Sequence, residues 1–125
     1  MDTPKPIRVL VADADSEFAG QLKMAAKATG LSAIICLSLD NPDVLKKYAF
    51  AAAIIDCDLV RPESADQVAT SLGNVPIILI THEQGLAPSD ASAWPACICA
   101  LVKKEQGVDA VLKTTQKILS SKKAA

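Results

Sequence analysis

Charge of one sign is missing from this sequence of 125 residues. Thirteen basic residues stand against 14 acidic ones, a net charge of −1 with the single His82 neutral. A nucleic-acid or membrane-surface footprint needs a clustered basic excess, so neither is expected. Long hydrophobic runs are also missing. The apolar stretches break well short of the roughly 20 residues of a membrane span, and no leader pattern opens the chain. With one histidine and no G-x-S-x-G, a serine-type triad lacks its parts. Neither G-x-x-x-x-G-K nor G-x-G-x-x-G occurs, so nucleotide phosphates have no glycine-rich cradle.

Half of the residues are apolar and 22% are charged. That is enough for one buried core, and it excludes disorder; a domain of this size buries roughly two-thirds of its unfolded surface. The expectation is a single soluble, cytoplasmic domain over 1–125, with its core at about 7–119 and a polar tail or linker start at 120–125. The four cysteines, Cys36, Cys57, Cys97 and Cys99, complete no zinc set with the lone histidine. They are expected as reduced, buried thiols that pack as small hydrophobes.

Short apolar runs alternate with helical patterns. Ile7–Ala12 ends in Asp13, Ala33–Leu37 follows, Ala51–Ile55 ends in Asp56, Pro76–Ile80 ends in Thr81, and Cys97–Val102 ends in Lys103. Nearly uninterrupted apolar runs are what strands covered on both faces look like. Between them, Asp15 or Ser16 caps a helix that Gly30 stops, and Asn41-Pro42 starts a second. A weaker helix is expected between Pro62 and Leu72, and a short one from Ser89. The last is the clearest: Val108, Val111, Leu112, Thr115, Ile118 and Leu119 form one stripe.

This alternation predicts an α/β fold, a five-stranded parallel sheet with helices on both faces. In such sheets ligands bind outside the carboxyl ends of the strands. Asp13, Asp56, Thr81 and Lys103 each close a different strand and so are expected on one rim. Carboxylates, a hydroxyl and an ammonium together suit phosphoryl chemistry: one carboxylate attacks phosphorus while cations and donors bind its oxygens. The plainer alternatives are that Asp56 caps a turn and that Asp13 caps the first helix.

Val9-Leu10-Val11-Ala12-Asp13, Ala53-Ile54-Ile55-Asp56, Pro76 to Thr81 and Ala100-Leu101-Val102-Lys103, in that order, resemble the receiver domains of two-component response regulators. The resemblance covers Ile7 to about Leu119. It implies a flavodoxin-like (CheY-like) strand order 2-1-3-4-5. It also implies Asp56 as phosphoacceptor, Thr81 and Lys103 as the groups touching the phosphoryl oxygens, and Mg2+ held by Asp13 and Asp56, with the Asp58 carboxylate as a compensating ligand where the family supplies a backbone carbonyl. The implied partners are a sensor histidine kinase or phosphotransfer protein, a downstream effector protein or domain, and a second copy through the face of the fourth helix, fifth strand and fifth helix. The implied role is signal transduction through protein–protein contacts.

The departures from that pattern are specific. Ala14 replaces the second acidic residue after the first strand, the usual direct metal ligand, which weakens the Mg2+ site. His82 follows the threonine where Ala or Gly is usual, Ala100 replaces the aromatic switch residue, and Lys104 stands in place of a proline. The same fold serving as a phosphorylation-independent pseudo-receiver docking module is therefore the alternative. A third reading takes Asp13-Ala14-Asp15 as the D-x-D of a haloacid-dehalogenase-type phosphatase, Asp13 as nucleophile and Asp15 as acid/base. It lacks the later strand with an acidic pair, so no enzyme is expected.

Overall fold

The computed structural model describes residues 7–36, 38–39, 48–81, 92 and 94–124. The helix expected from Asn41 and the stretch 82–91, with His82 and the helix expected from Ser89, lie outside the described residues.

Five strands form one parallel sheet: β1 (Ile7–Ala12), β2 (Leu31–Cys36), β3 (Ala52–Asp56), β4 (Ile77–Thr81) and β5 (Ile98–Lys103). Their order is β2-β1-β3-β4-β5, as predicted. Helix α1 (Ser16–Ala28) joins β1 to β2, α2 (Ala65–Ser71) precedes β4, and α3 (Val108–Ala124) follows β5. None of the described helices is long and apolar enough to cross a membrane.

Alternate side chains of each strand feed two cores. Leu10, Ala12, Ala53, Ile55, Ile77 and Leu79 meet Ala65, Ala69 and Leu72 around α2, with Trp94 closing that cluster. Val9, Val11, Ala52, Ile54, Ile78 and Ile80 meet Ala19, Leu22 and Ala26 of α1 and Val111 and Leu112 of α3. Ile54, Ile55, Leu79 and Ile80 are fully buried, each contributing about 2 kcal/mol of hydrophobic stabilisation. This double burial is why the strands read as apolar runs.

Local chemistry sets the helix ends. The Asp15 carboxylate accepts from the backbone N–H groups of Glu17 at 3.1 Å and Phe18 at 3.2 Å, capping α1. Gly30, at φ +84°, turns the chain out after it. The weak third helix is a 3-10 turn, Pro62–Ser64, running into two turns of α-helix. At the other end, α3 continues through Ala124 where a polar tail was expected at 120–125. Ser, Lys and Ala are polar or small but include no helix breaker, so the helix carries on.

Most strands end one residue later than their apolar runs. The ladder pairs Asp56 with Ile80 and Thr81 with Lys103. In β3, β4 and β5 the polar residue that closes the run still belongs to the sheet, because hydrogen bonding continues past the last apolar side chain. The cysteines also differ from expectation: Cys57 is buried, Cys36 and Cys97 are half-buried and Cys99 is exposed, all as free thiols.

Candidate functional site

Parallel strands place all their carboxyl ends on one edge of the sheet, and that edge gathers the polar residues. Asp13, Asp56 and Thr81 are the buried polar side chains here, at 1%, 4% and 2% exposure. Burying an ionised carboxylate is costly unless charge or hydrogen bonds compensate. Each of the two buried aspartates gives one oxygen to the turn that follows its strand. Asp13 Oδ1 accepts from the Asp15 N–H at 2.9 Å, and Asp56 Oδ1 accepts from the Asp58 N–H at 2.9 Å. Asp56 therefore does cap a turn, the 3-10 turn Cys57–Leu59, while the α1 cap is Asp15 rather than Asp13.

The second oxygens face one ammonium, and it is not the expected one. Lys104 Nζ lies 3.2 Å from Asp13 Oδ2, 3.5 Å from Asp15 Oδ2 and 3.5 Å from Asp56 Oδ2. It also sits 4.7 Å from the centroid of the Phe18 ring, a cation–π contact from the first turn of α1. Lys103 is exposed, and its backbone N–H donates to Gln106 Oε1 at 3.2 Å.

A single irregularity in β5 accounts for the exchange. Ile77 pairs with Ile98 but Ile78 pairs with Ala100, so β5 spends one extra residue, Cys99, against β4. A regular ladder carried on from Ile77 and Ile98 would set Val102 opposite Thr81; the extra residue sets Lys103 there. The chain then turns through the 3-10 turn Lys104–Gln106, which Gly107 closes at φ +88° before α3. The first side chain past the sheet is thus Lys104. Ala100, marked as the switch position lacking an aromatic, is half-buried and packs against the α1/α3 core.

The electrostatics follow from this crowding. Burial, and after it the nearby charge of Asp56, hold the Asp13 carboxyl above the ordinary carboxylate range, although the Asp15 N–H and Lys104 pull the other way. For Lys104, burial alone would lower the pKa; the charges of Asp13, Asp56 and Asp15 together outweigh it and leave the ammonium more firmly protonated than usual. Exposed Asp15 is held below its ordinary range, first by the Phe18 N–H.

Beside this cluster, ligand atoms of Asp56, Cys57 and Asp58 lie within 4.8 Å of one another. Asp58 is exposed and accepts a weak contact from the buried Cys57 Sγ at 3.9 Å. Asp13 is not a member of that group. Residue 14, where the missing acid was noted, is an exposed alanine. A shallow cavity of about 490 Å3 lies elsewhere, lined by Val75, Cys97, Cys99 and Ile118 at the other end of the sheet, and it shares no residue with the rim.

Sequence reading named Asp13, Asp56 and Thr81, and these do converge on the rim. It missed Lys104 and Phe18 as partners of the acidic pair. The Lys103-Lys104 doublet offered two candidates, and nothing in the sequence signalled the extra residue at Cys99 that chooses between them.

No family model and no curated protein matches the sequence. Solved structures do match. A CheY-like response regulator receiver domain protein from Methanospirillum hungatei is similar at 15% identity and a TM-score of 0.79, over 96% of this chain and 98% of that one. A response regulator receiver protein from Burkholderia phymatum is similar at 25% identity and 0.70, over 91% and 95%. A response regulator protein from Burkholderia pseudomallei, solved with a phosphorylated aspartic acid, calcium ion and citrate, is similar at 17% identity and 0.72, over 94% and 71%. Strand order and full-length likeness agree: the chain has the fold of response regulator receiver domains.

Proposed function

We propose that this chain is a receiver module of two-component signalling in which Asp56 accepts a phosphoryl group and Lys104 and Thr81 hold its oxygens. The observation that carries this reading is the pairing of Asp56, buried at the end of β3, with the Lys104 ammonium at 3.5 Å. An ammonium beside the attacking carboxylate offsets the negative charge that a phosphoryl group brings. Thr81 ends the neighbouring strand, one residue past the Ile80 that pairs with Asp56. In the transfer, an Asp56 oxygen forms a bond to phosphorus as the bond from phosphorus to the donor's imidazole nitrogen breaks, and the imidazole keeps that electron pair. The donor is a phosphohistidine on a kinase or phosphotransfer protein, and the readout is a protein–protein contact.

Lys104 here takes the part first assigned to Lys103. The Mg2+ ion implied by the resemblance has an acidic group in Asp56 and Asp58 but fits poorly between Asp13 and Asp56. The second oxygens of Asp13 and Asp56 already face Lys104, and position 14 carries no acid.

A small phosphodonor such as acetyl phosphate tests the reading. The expected result is a mass gain of one phosphoryl group, labile to hydroxylamine and absent in Asp56→Asn. Absence of the adduct at saturating donor, in a folded protein, overturns it. The second reading, a docking module that works without phosphorylation, is favoured by the same ammonium: Lys104 already neutralises the oxygen that would attack. It predicts that binding to a partner is unchanged in Asp56→Asn.

A further inference from the structure

Three carboxylates from two segments close on one ammonium: Asp13 and Asp15 in the turn between β1 and α1, and Asp56 at the end of β3. The face of Phe18 covers it from α1. The Lys104 side chain is only 20% exposed, against 2% for Asp13 and 6% for Asp56. Asp13 Oδ2 is buried, and among the described residues the group that meets its charge is the Lys104 ammonium 3.2 Å away. A buried carboxylate oxygen whose charge is met by a cation marks a cation site. Here the cation is the chain's own.

We propose that the Lys104 ammonium is the resident cation of this pocket and occupies, by tether, the place a divalent ion would otherwise take between Asp13 and Asp56. Magnesium demands oxygen ligands at about 2.0–2.1 Å in octahedral array and gives up its water reluctantly. The Oδ2 atoms of Asp13 and Asp56 face Nζ, their Oδ1 atoms are held by backbone N–H groups, and the position next to Asp13 is Ala14, with the exposed Asp58 carboxylate beside Asp56 as a further oxygen. An entering ion meets the ammonium at a few ångströms, where the repulsion between like charges is strong at the low effective dielectric of a half-buried site. To bind, it must push Lys104 off three carboxylates and the Phe18 ring together. Asp15 adds to the hold on the ammonium: its Oδ1 caps α1 while its Oδ2 faces Nζ at 3.5 Å.

The inference uses the receiver reading only to choose Mg2+ as the probe, and it stands whether or not Asp56 is phosphorylated. The test is Mg2+ titration of the whole chain, followed by amide chemical shifts and by melting temperature against NaCl of equal ionic strength. Wild type is expected to show no site-specific shift at residues 13–15 or 56–58 up to about 10 mM Mg2+, and no metal-dependent gain in melting temperature. Lys104→Met, which keeps the stem and removes the charge, is expected to gain both, with affinity at least about tenfold tighter than wild type. Lys104→Arg, which keeps the charge, is expected to remain silent to Mg2+.

Saturable shifts at Asp13 and Asp56 in wild type below about 1 mM Mg2+ overturn the proposal, as does a folded Lys104→Met with no gain in affinity. Should Lys104→Met not fold, wild type and Lys104→Arg decide it alone. Asp56 phosphorylation that depends on Mg2+ overturns this proposal and leaves the phosphoacceptor reading intact. A chain silent to Mg2+ that never forms the adduct does the reverse.

Discussion

Lys104 Nζ stands 3.2 Å from Asp13 Oδ2, joining the turn after β5 to the end of β1 across the full set of strand ends between them. The contact spans the chain from its first strand to the turn before its last helix. One positive charge so placed offsets the repulsion between the two buried aspartates.

The two lysines should therefore behave unlike each other. Lys103→Ala, at an exposed position, is expected to leave stability within about 0.5 kcal/mol of wild type. Lys104→Ala leaves Asp13 and Asp56 facing each other without their cation and is expected to cost about 2 kcal/mol, between the values for exposed and for buried pairs. Denaturant unfolding followed by Trp94 fluorescence measures both. Equal effects would put the turn after β5 in a different register.

Asp13→Asn is expected to stabilise the fold at neutral pH. The Asp13 pKa is raised, first by burial, so the folded chain holds that proton more tightly than the unfolded one. Stability tied to a raised carboxyl is present below the ordinary carboxylate range and lost as pH rises through the folded value. Asn carries no such penalty and can still accept from the Asp15 N–H. The advantage of Asp13→Asn should thus vanish as pH is lowered through the acidic range; a gain independent of pH would refute the electrostatic cause.

At alkaline pH the same rule applies to Lys104. Although burial opposes it, the carboxylates raise its pKa, so its contribution is intact below the ordinary lysine range and fades as pH climbs through the folded value. Lys104→Met should remove that alkaline limb from the pH–stability curve, and Lys103→Met should not.

Gly107 holds φ +88° and ψ 169°, a region essentially closed to residues with a side chain. Space is no obstacle there, since no atom lies within 4 Å of an added Cβ. Gly107→Ala is expected to cost about 2 kcal/mol through backbone strain alone. It should also shift the Lys104 side-chain resonances, because the turn that presents Lys104 ends at that glycine.

The thiols should separate by environment. Cys99 is exposed and should react first with a maleimide. The Cys97 thiol is pushed up to about 11, by burial and then by hydrogen bonding to Asp66, and should react slowly at neutral pH. Cys57, buried behind Asp56, should react only on unfolding. Labelling of Cys57 at the rate of Cys99 in the native state would contradict the packing of β3.

Much of this protein was legible in its residues. Runs such as Val9 to Ala12 and Ile77 to Ile80 are apolar without alternation because each strand is covered on both faces, and that alone implied the parallel sheet and one polar rim. Which aspartates, and which threonine, close those strands also followed from order in the chain. The choice between Lys103 and Lys104 did not follow. It depends on one extra residue at Cys99 in β5 and on the turn that Gly107 permits, and both reflect pairing with a distant strand rather than any local pattern. The contact of Phe18 with the ammonium is of the same kind. Sequence carries the periodicity of burial, since each side chain's solvent preference acts locally; register and the meeting of charges are set only when remote segments pack, and there tertiary structure alone decided.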